Sequence, residues 1–130
     1  MTEIQPISVI LFDDNQNYRN ILKSLLERSG ILVLGSFTSD GDHFLTSEFL
    51  DMPDIAMIAF YKGVHALMSW LRELIPDMKI VLMASVYDKV SKSELAALGL
   101  DGLIYKASDD PLEMLTMLKT VKAGVKYFPI

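Results

Sequence analysis

The chain has 130 residues, 51% of them hydrophobic, and a formal net charge of -5 with a pI near 4.9. Length and apolar content suit a single domain spanning 1-130 with a core of its own, while the acidic balance and the absence of any basic cluster argue against a nucleic-acid-binding face. There is no cysteine for a disulfide or thiolate metal site, no apolar run near the roughly 20 residues a bilayer span needs, and no basic leader, so a cytoplasmic protein without membrane association is expected.

In chain order, Ile7 to Phe12, apolar apart from Ser8, is a buried-strand run, and it stops at Asp13, Asp14 and Asn15. Tyr18, Ile21, Leu22, Leu25 and Leu26 then follow helical spacing, with Gly30 placed to end the helix. Ile31 to Phe37 reads as the second strand, Thr38 to Gly41 as a turn, and Phe44, Leu45 and Phe49 as a short amphipathic helix. Ile55 to Phe60 is the most uniformly apolar run and is bounded by Pro53-Asp54 and Lys62-Gly63. It reads as a strand buried on both faces at the centre of a parallel sheet.

The same order repeats beyond it. Val64, Leu67, Met68, Leu71 and Ile75 mark a helix stopped by Pro76-Asp77, Ile80 to Ala84 a strand, and Leu95 and Leu98 a helix closed by Gly99. Leu103 to Tyr105 is a last short strand running into Lys106. Asp110, Pro111 and Glu113 then form a capping-box-like start to a helix whose apolar stripe is read as Leu112, Leu115, Leu118 and Val121, ending at Gly124. Five strands alternating with five helices predict right-handed crossovers, a parallel sheet and helices on both faces.

The phrases VILFDDN, PDIAMIA, KIVLMAS and GLDGLIYKAS, in that order and spacing, resemble the receiver domain of bacterial two-component response regulators. The closing stretch DDPLEMLTMLKTVKAGVKYFP is similar to the end of receivers of the NarL/LuxR type, in which a DNA-binding helix-turn-helix usually follows. The resemblance covers nearly the whole chain. It implies a flavodoxin-like (βα)5 doubly wound α/β fold with strand order 2-1-3-4-5, an order for which chemotaxis receivers are a standard example.

The resemblance also implies a site. An acidic pair would hold Mg²⁺, an aspartate ending the third strand would take the phosphoryl group, a Ser or Thr ending the fourth would bond to it, and a fifth-strand Lys would pair with it. Here Asp13, Asp14 and Lys106 match. Ala59 stands at the phosphoacceptor position, Met83 at the Ser/Thr position, Leu103 at the aromatic switch position and Ala107 at the usual proline, and the third-strand loop reads Phe60-Tyr61-Lys62-Gly63. A methyl group has no lone pair to attack a phosphodonor and offers no hard oxygen to Mg²⁺. Phosphoryl transfer is therefore expected to be absent, and Mg²⁺ binding by Asp13 and Asp14 weak or absent, with no other cofactor. Asp13 and Asp14 are either an acidic turn capping the first helix or a remnant pocket in which one of them pairs directly with Lys106.

The remaining candidates carry less. His43 and His65 have no acidic or Cys neighbours at ligand spacing, and Ser85 reads as a loop serine unless the alignment slips by two. The run Gly99 to Gly102 lies between a helix and a strand, where phosphate loops do not run, and is a turn. Trp70 falls at the edge of its helix's buried stripe. Met114, Met117 and Val125, flanked by Lys119, Lys122 and Lys126, are a candidate interface strip on the last helix, equally readable as part of a broad core stripe.

These features point to a non-catalytic, receiver-like signalling domain that acts through a protein partner or as a homodimer, with a histidine kinase implied by the resemblance alone. Two alternatives stay open: a phospho-dead or otherwise modified receiver of a DNA-binding transcription regulator, with an output domain following residue 130, or an unrelated flavodoxin-like module binding a small ligand.

Overall fold

The computed structural model describes residues 6–38, 53–61, 63–85, 97–106 and 110–128. Its elements are β1 (Ser8–Phe12), α1 (Gln16–Arg28), β2 (Leu32–Phe37), β3 (Ile55–Ala59), α2 (Val64–Leu74), β4 (Lys79–Ala84), β5 (Gly102–Tyr105) and α3 (Pro111–Lys122). The five strands form one sheet in the order β2-β1-β3-β4-β5 with every pairing parallel; the alternation of elements predicts the parallel pairing and the resemblance implies the order. The helix expected over Phe44, Leu45 and Phe49 lies outside the described residues, as do His43, Lys62, Leu95 and Ala107. Of the helix expected to end at Gly99, Ala97 and Leu98 are described and helical.

Beyond Ser8 and Lys79 at their amino ends, the central strands are apolar because each face of the sheet is covered. Alternate residues of β1, β3 and β4 divide between two clusters. Ile10, Phe12, Ala56, Ile58, Ile80 and Leu82 pack with Val64, Leu67, Met68 and Leu71 of α2. Val9, Leu11, Met57, Ala59, Val81 and Met83 pack with Leu22 and Leu26 of α1 and Met114, Met117, Leu118 and Val121 of α3. Trp70 is half-buried at the border of the α2 cluster.

Both long-range helix ends are set by local chemistry. Asn15 caps α1, its Oδ1 accepting from the Tyr18 N–H at 3.0 Å, and Gly30 at φ 81° closes it. There the Gly30 N–H donates to the Glu27 carbonyl and the Ile31 N–H to the Leu26 carbonyl, the paired bonds of a Schellman motif. Asp110 caps α3 through the Leu112 N–H at 3.0 Å, and Gly124 at φ 90° repeats the same closure with Val125.

The face that α3 buries decides for the core-stripe reading of its methionines and removes Leu112 from the stripe. Met114 and Met117 are buried, not surface residues, whereas Leu112 is 71% exposed and Leu115 only half-buried. At about 100° per residue, Met114, Met117, Leu118 and Val121 occupy an arc of about 100°, and Leu112 lies about 170° from its middle. Counting leucines alone selected the wrong phase. Of the proposed interface strip only Val125, 59% exposed, is on the surface. Ile21, counted in the α1 stripe, is 68% exposed for the same reason, since it lies about 120° from the midpoint of the buried Leu22 and Leu26.

Two ties brace the sheet away from its carboxyl edge. Asp54 Oδ2, just before β3, accepts from the Ser8 N–H at 3.0 Å and pairs with Lys122 Nζ at 3.2 Å, joining β1, β3 and the end of α3. After α3 the chain returns to the sheet: Leu103 donates to the Tyr127 carbonyl and Tyr127 to the Asp101 carbonyl, a parallel bridge at the free edge of β5. Sequence pattern gave no sign of it.

Candidate functional site

Strand alternation decides which residues meet at the carboxyl edge. Leu11, Met57, Val81 and Ile104 all lie in the cluster beneath α1 and α3, and the residues two further along are Asp13, Ala59, Met83 and Lys106. All four therefore emerge on the same face at one corner of the sheet. Ala59 and Met83 are direct partners across β3 and β4, and both are buried. Leu103 belongs to the opposite face, where it is 1% exposed within the α2 cluster.

Asp13 is the polar centre of this corner. Its N–H donates to the Phe37 carbonyl at 3.0 Å, fixing it at the end of β1 beside β2. Its Oδ1 accepts from the Asn15 N–H at 2.9 Å, and its Oδ2 lies 2.6 Å from Lys106 Nζ. The ammonium approaches Oδ2 outside the directions of a regular hydrogen bond, so charge attraction holds this contact. The carboxylate side chain is 5% exposed and that of Lys106 25%, so water screens the pair little. Lys106 is positioned by its own N–H, which donates to the Ala84 carbonyl at 2.9 Å.

The helix cap reaches the same group. Asn15, whose N–H is engaged by Asp13, holds the first turn of α1 at Tyr18, and the Tyr18 ring lies under Lys106 Nζ at 4.7 Å from its centroid. That distance is within the range of a cation–π contact. Burial first, and then the nearby Asp13 carboxylate, push the Tyr18 phenol up to about 12. Tyr18 stays neutral across the physiological range. The sequence reading counted it only in the core stripe of α1. The usable signal was its position in the first helical turn after an acidic strand end, which directs a large ring back over that edge.

Asp13 and Lys106 are thus brought together, and the helix cap falls to Asn15 because the Asp13 carboxylate is taken up by the Asn15 N–H and Lys106. Asp14 is exposed. Ser85 is half-buried just past β4, and His65 is exposed on α2. Two clefts of about 390 and 540 Å³ both lie at the amino end of the strands, around Pro53 to Lys79 and around Pro6, Ser29 and Leu115, remote from this corner.

The resemblance implies Mg²⁺, which demands several hard oxygens in near-octahedral array. Here Ala59 contributes a methyl group, one Asp13 oxygen is engaged by a backbone amide and the other faces an ammonium. Among the described residues no group of three or more His, Cys, Asp or Glu side chains could hold a metal. The residues as arranged do not fit the ion.

No protein-family model and no curated protein matches the sequence. Solved structures do. The non-phosphorylated receiver domain of the stress response regulator RcsB from Escherichia coli matches with a TM-score of 0.76 and 18% identity, covering 97% of this chain and 100% of that one. RcsB in a structure of two dimers bound to two parallel DNAs matches at 0.78 and 17%, covering 96% of this chain but 64% of that one, so this chain spans less than two thirds of that regulator. A LuxR-family DNA-binding response regulator from Silicibacter pomeroyi matches at 0.68 and 25%, covering 95% and 97%. The fold is that of response-regulator receiver domains. None of the described helices is long and apolar enough to cross a membrane.

Proposed function

We propose that this chain is a receiver-like signalling domain that works without phosphorylation, through contacts with other protein surfaces. The observation that carries this reading is the corner formed by Ala59 and Met83. At the place where an acyl phosphate would have to form, two adjacent strands present a methyl group and a thioether, both buried in the core cluster. Neither attacks a phosphodonor, and neither donates a hydrogen bond to a phosphoryl oxygen. The aromatic switch position is filled by Leu103, packed at 1% exposure, which leaves no ring to alternate between buried and exposed rotamers.

A domain fixed in one state can still signal by what it binds. The DNA-bound neighbour is described as a dimer, and here Ile21 of α1 and Leu112 of α3 present exposed apolar side chains on two helices that pack on the same face of the sheet. This supports self-association as the form the contact takes, and attachment to an output unit as the context in which it acts. Sedimentation equilibrium tests the reading. The chain should associate to the same extent with and without acetyl phosphate, and Leu112→Glu should weaken association while leaving the unfolding transition in place. Association that strengthens severalfold when the phosphodonor is added would overturn it.

A further inference from the structure

The misfit of Mg²⁺ at the carboxyl edge raises the question of what neutralises the buried Asp13 carboxylate instead. Four residues answer in a closed circuit. Asp13 Oδ1 accepts from the Asn15 N–H, Asn15 Oδ1 accepts from the Tyr18 N–H, the Tyr18 ring lies under Lys106 Nζ, and Lys106 Nζ returns to Asp13 Oδ2. Each member fixes the next: the carboxylate sets the cap, the cap sets the first turn of α1, the turn sets the ring, and the ring and carboxylate together hold the ammonium.

We propose that Lys106 is the site's own permanent cation, held on Asp13 by the face of Tyr18, and that Tyr18 is a positioning residue which keeps divalent cations from the Asp13 carboxylate. This rests on the receiver-like reading of the site and names how it is held in one state. The chemistry of the ring is consistent with the role. A neutral phenol presents the negative face of its quadrupole to the ammonium without itself carrying a charge that would compete with Asp13. A lysine on a flexible stem is mobile unless such a surface restrains it, and a restrained ammonium at 2.6 Å from the carboxylate leaves no room between them for a hydrated ion.

Competitive acylation of amines, read by peptide mass spectrometry, tests the proposal on the full chain. Lys106 should be labelled severalfold more slowly than the exposed Lys119 and Lys126, which serve as internal references. Tyr18→Phe keeps the ring and should keep this protection. Tyr18→Leu keeps an apolar side chain but loses the ring face, and should raise Lys106 labelling severalfold with the references unchanged. Equal Lys106 labelling in the Phe and Leu variants, or wild-type labelling as fast as the references, would overturn the role of Tyr18.

A second readout needs no variant. The Lys106 methylene protons nearest the ammonium should show upfield ring-current shifts in the native chain, and their absence would also overturn the proposal. In a Mn²⁺ titration followed by amide line broadening, Lys106→Ala should broaden residues around Asp13 at a lower metal concentration than wild type, and identical profiles would remove the claim that Lys106 excludes the ion. None of these readouts involves phosphoryl transfer. Failure of the receiver-like reading would appear separately, as phosphoryl incorporation.

Discussion

On the proposed reading, Ala59 withholds a nucleophile and a metal ligand at one position, and its cross-strand partner Met83 withholds a hydrogen-bond donor. Restoring only the first should therefore do little. With acetyl phosphate and Mg²⁺, Ala59→Asp alone is expected to label about 10-fold or more slowly than the double variant Ala59→Asp/Met83→Ser, because a hydroxyl bonded to a charged group contributes about 1.5–3 kcal/mol. Equal rates for the two variants would show that the thioether is no obstacle. Tyr18 offers a second test at this scale, through pH. Its phenol ionises near 10.0 in a model compound and about 12 in the fold, so the folded state keeps its proton longer than the unfolded chain. Its contribution to stability is complete below about pH 10 and is lost as pH rises from about 10 to about 12. Urea unfolding across that window should show a shallower alkaline decline for Tyr18→Phe, which cannot ionise, and parallel declines would contradict the assignment.

At the scale of elements, the strands were legible because runs such as Ile55 to Ala59, apolar on both faces and bounded by turn residues, suit a central parallel strand, while their order came from the resemblance. The phase of the last helix was not legible. Leucine and methionine are close in hydrophobicity, so Leu112, Leu115, Leu118 and Val121 fit a helical stripe as well as Met114, Met117, Leu118 and Val121, and only burial in the cluster that also holds Met57 and Met83 distinguishes them. The difference is measurable. Met117→Ala should cost about 2–5 kcal/mol of stability and Met117→Glu should cost more, since an isolated carboxylate would enter a fully buried position. Leu112→Glu should stay within about 0.5 kcal/mol of wild type in urea unfolding. The opposite ranking would restore the sequence-based phase. At the site, Asp13, Ala59, Met83 and Lys106 could be placed by motif and strand parity, whereas Tyr18 could not. Its part depends on the cap at Asn15 and on the side chain of Lys106, contacts between elements that periodicity does not encode.

Across the whole molecule, one end of the sheet is held by the Asp54 ties to Ser8 and Lys122 and the other by Asp13 and Lys106, with a core of two clusters between them. Asp13 and Lys106 neutralise each other at this corner, and on the proposed reading no acceptor for a phosphoryl group stands there. On that reading, signalling depends on which surfaces the domain presents and not on a chemical event at the sheet edge. The claim meets its most direct test in the intact mass of the native chain after prolonged incubation with acetyl phosphate and millimolar Mg²⁺, measured under conditions that preserve acyl phosphates. The account predicts an unmodified mass throughout, and a stable fraction carrying one phosphoryl group, mapped to the carboxyl edge of the sheet, would contradict it.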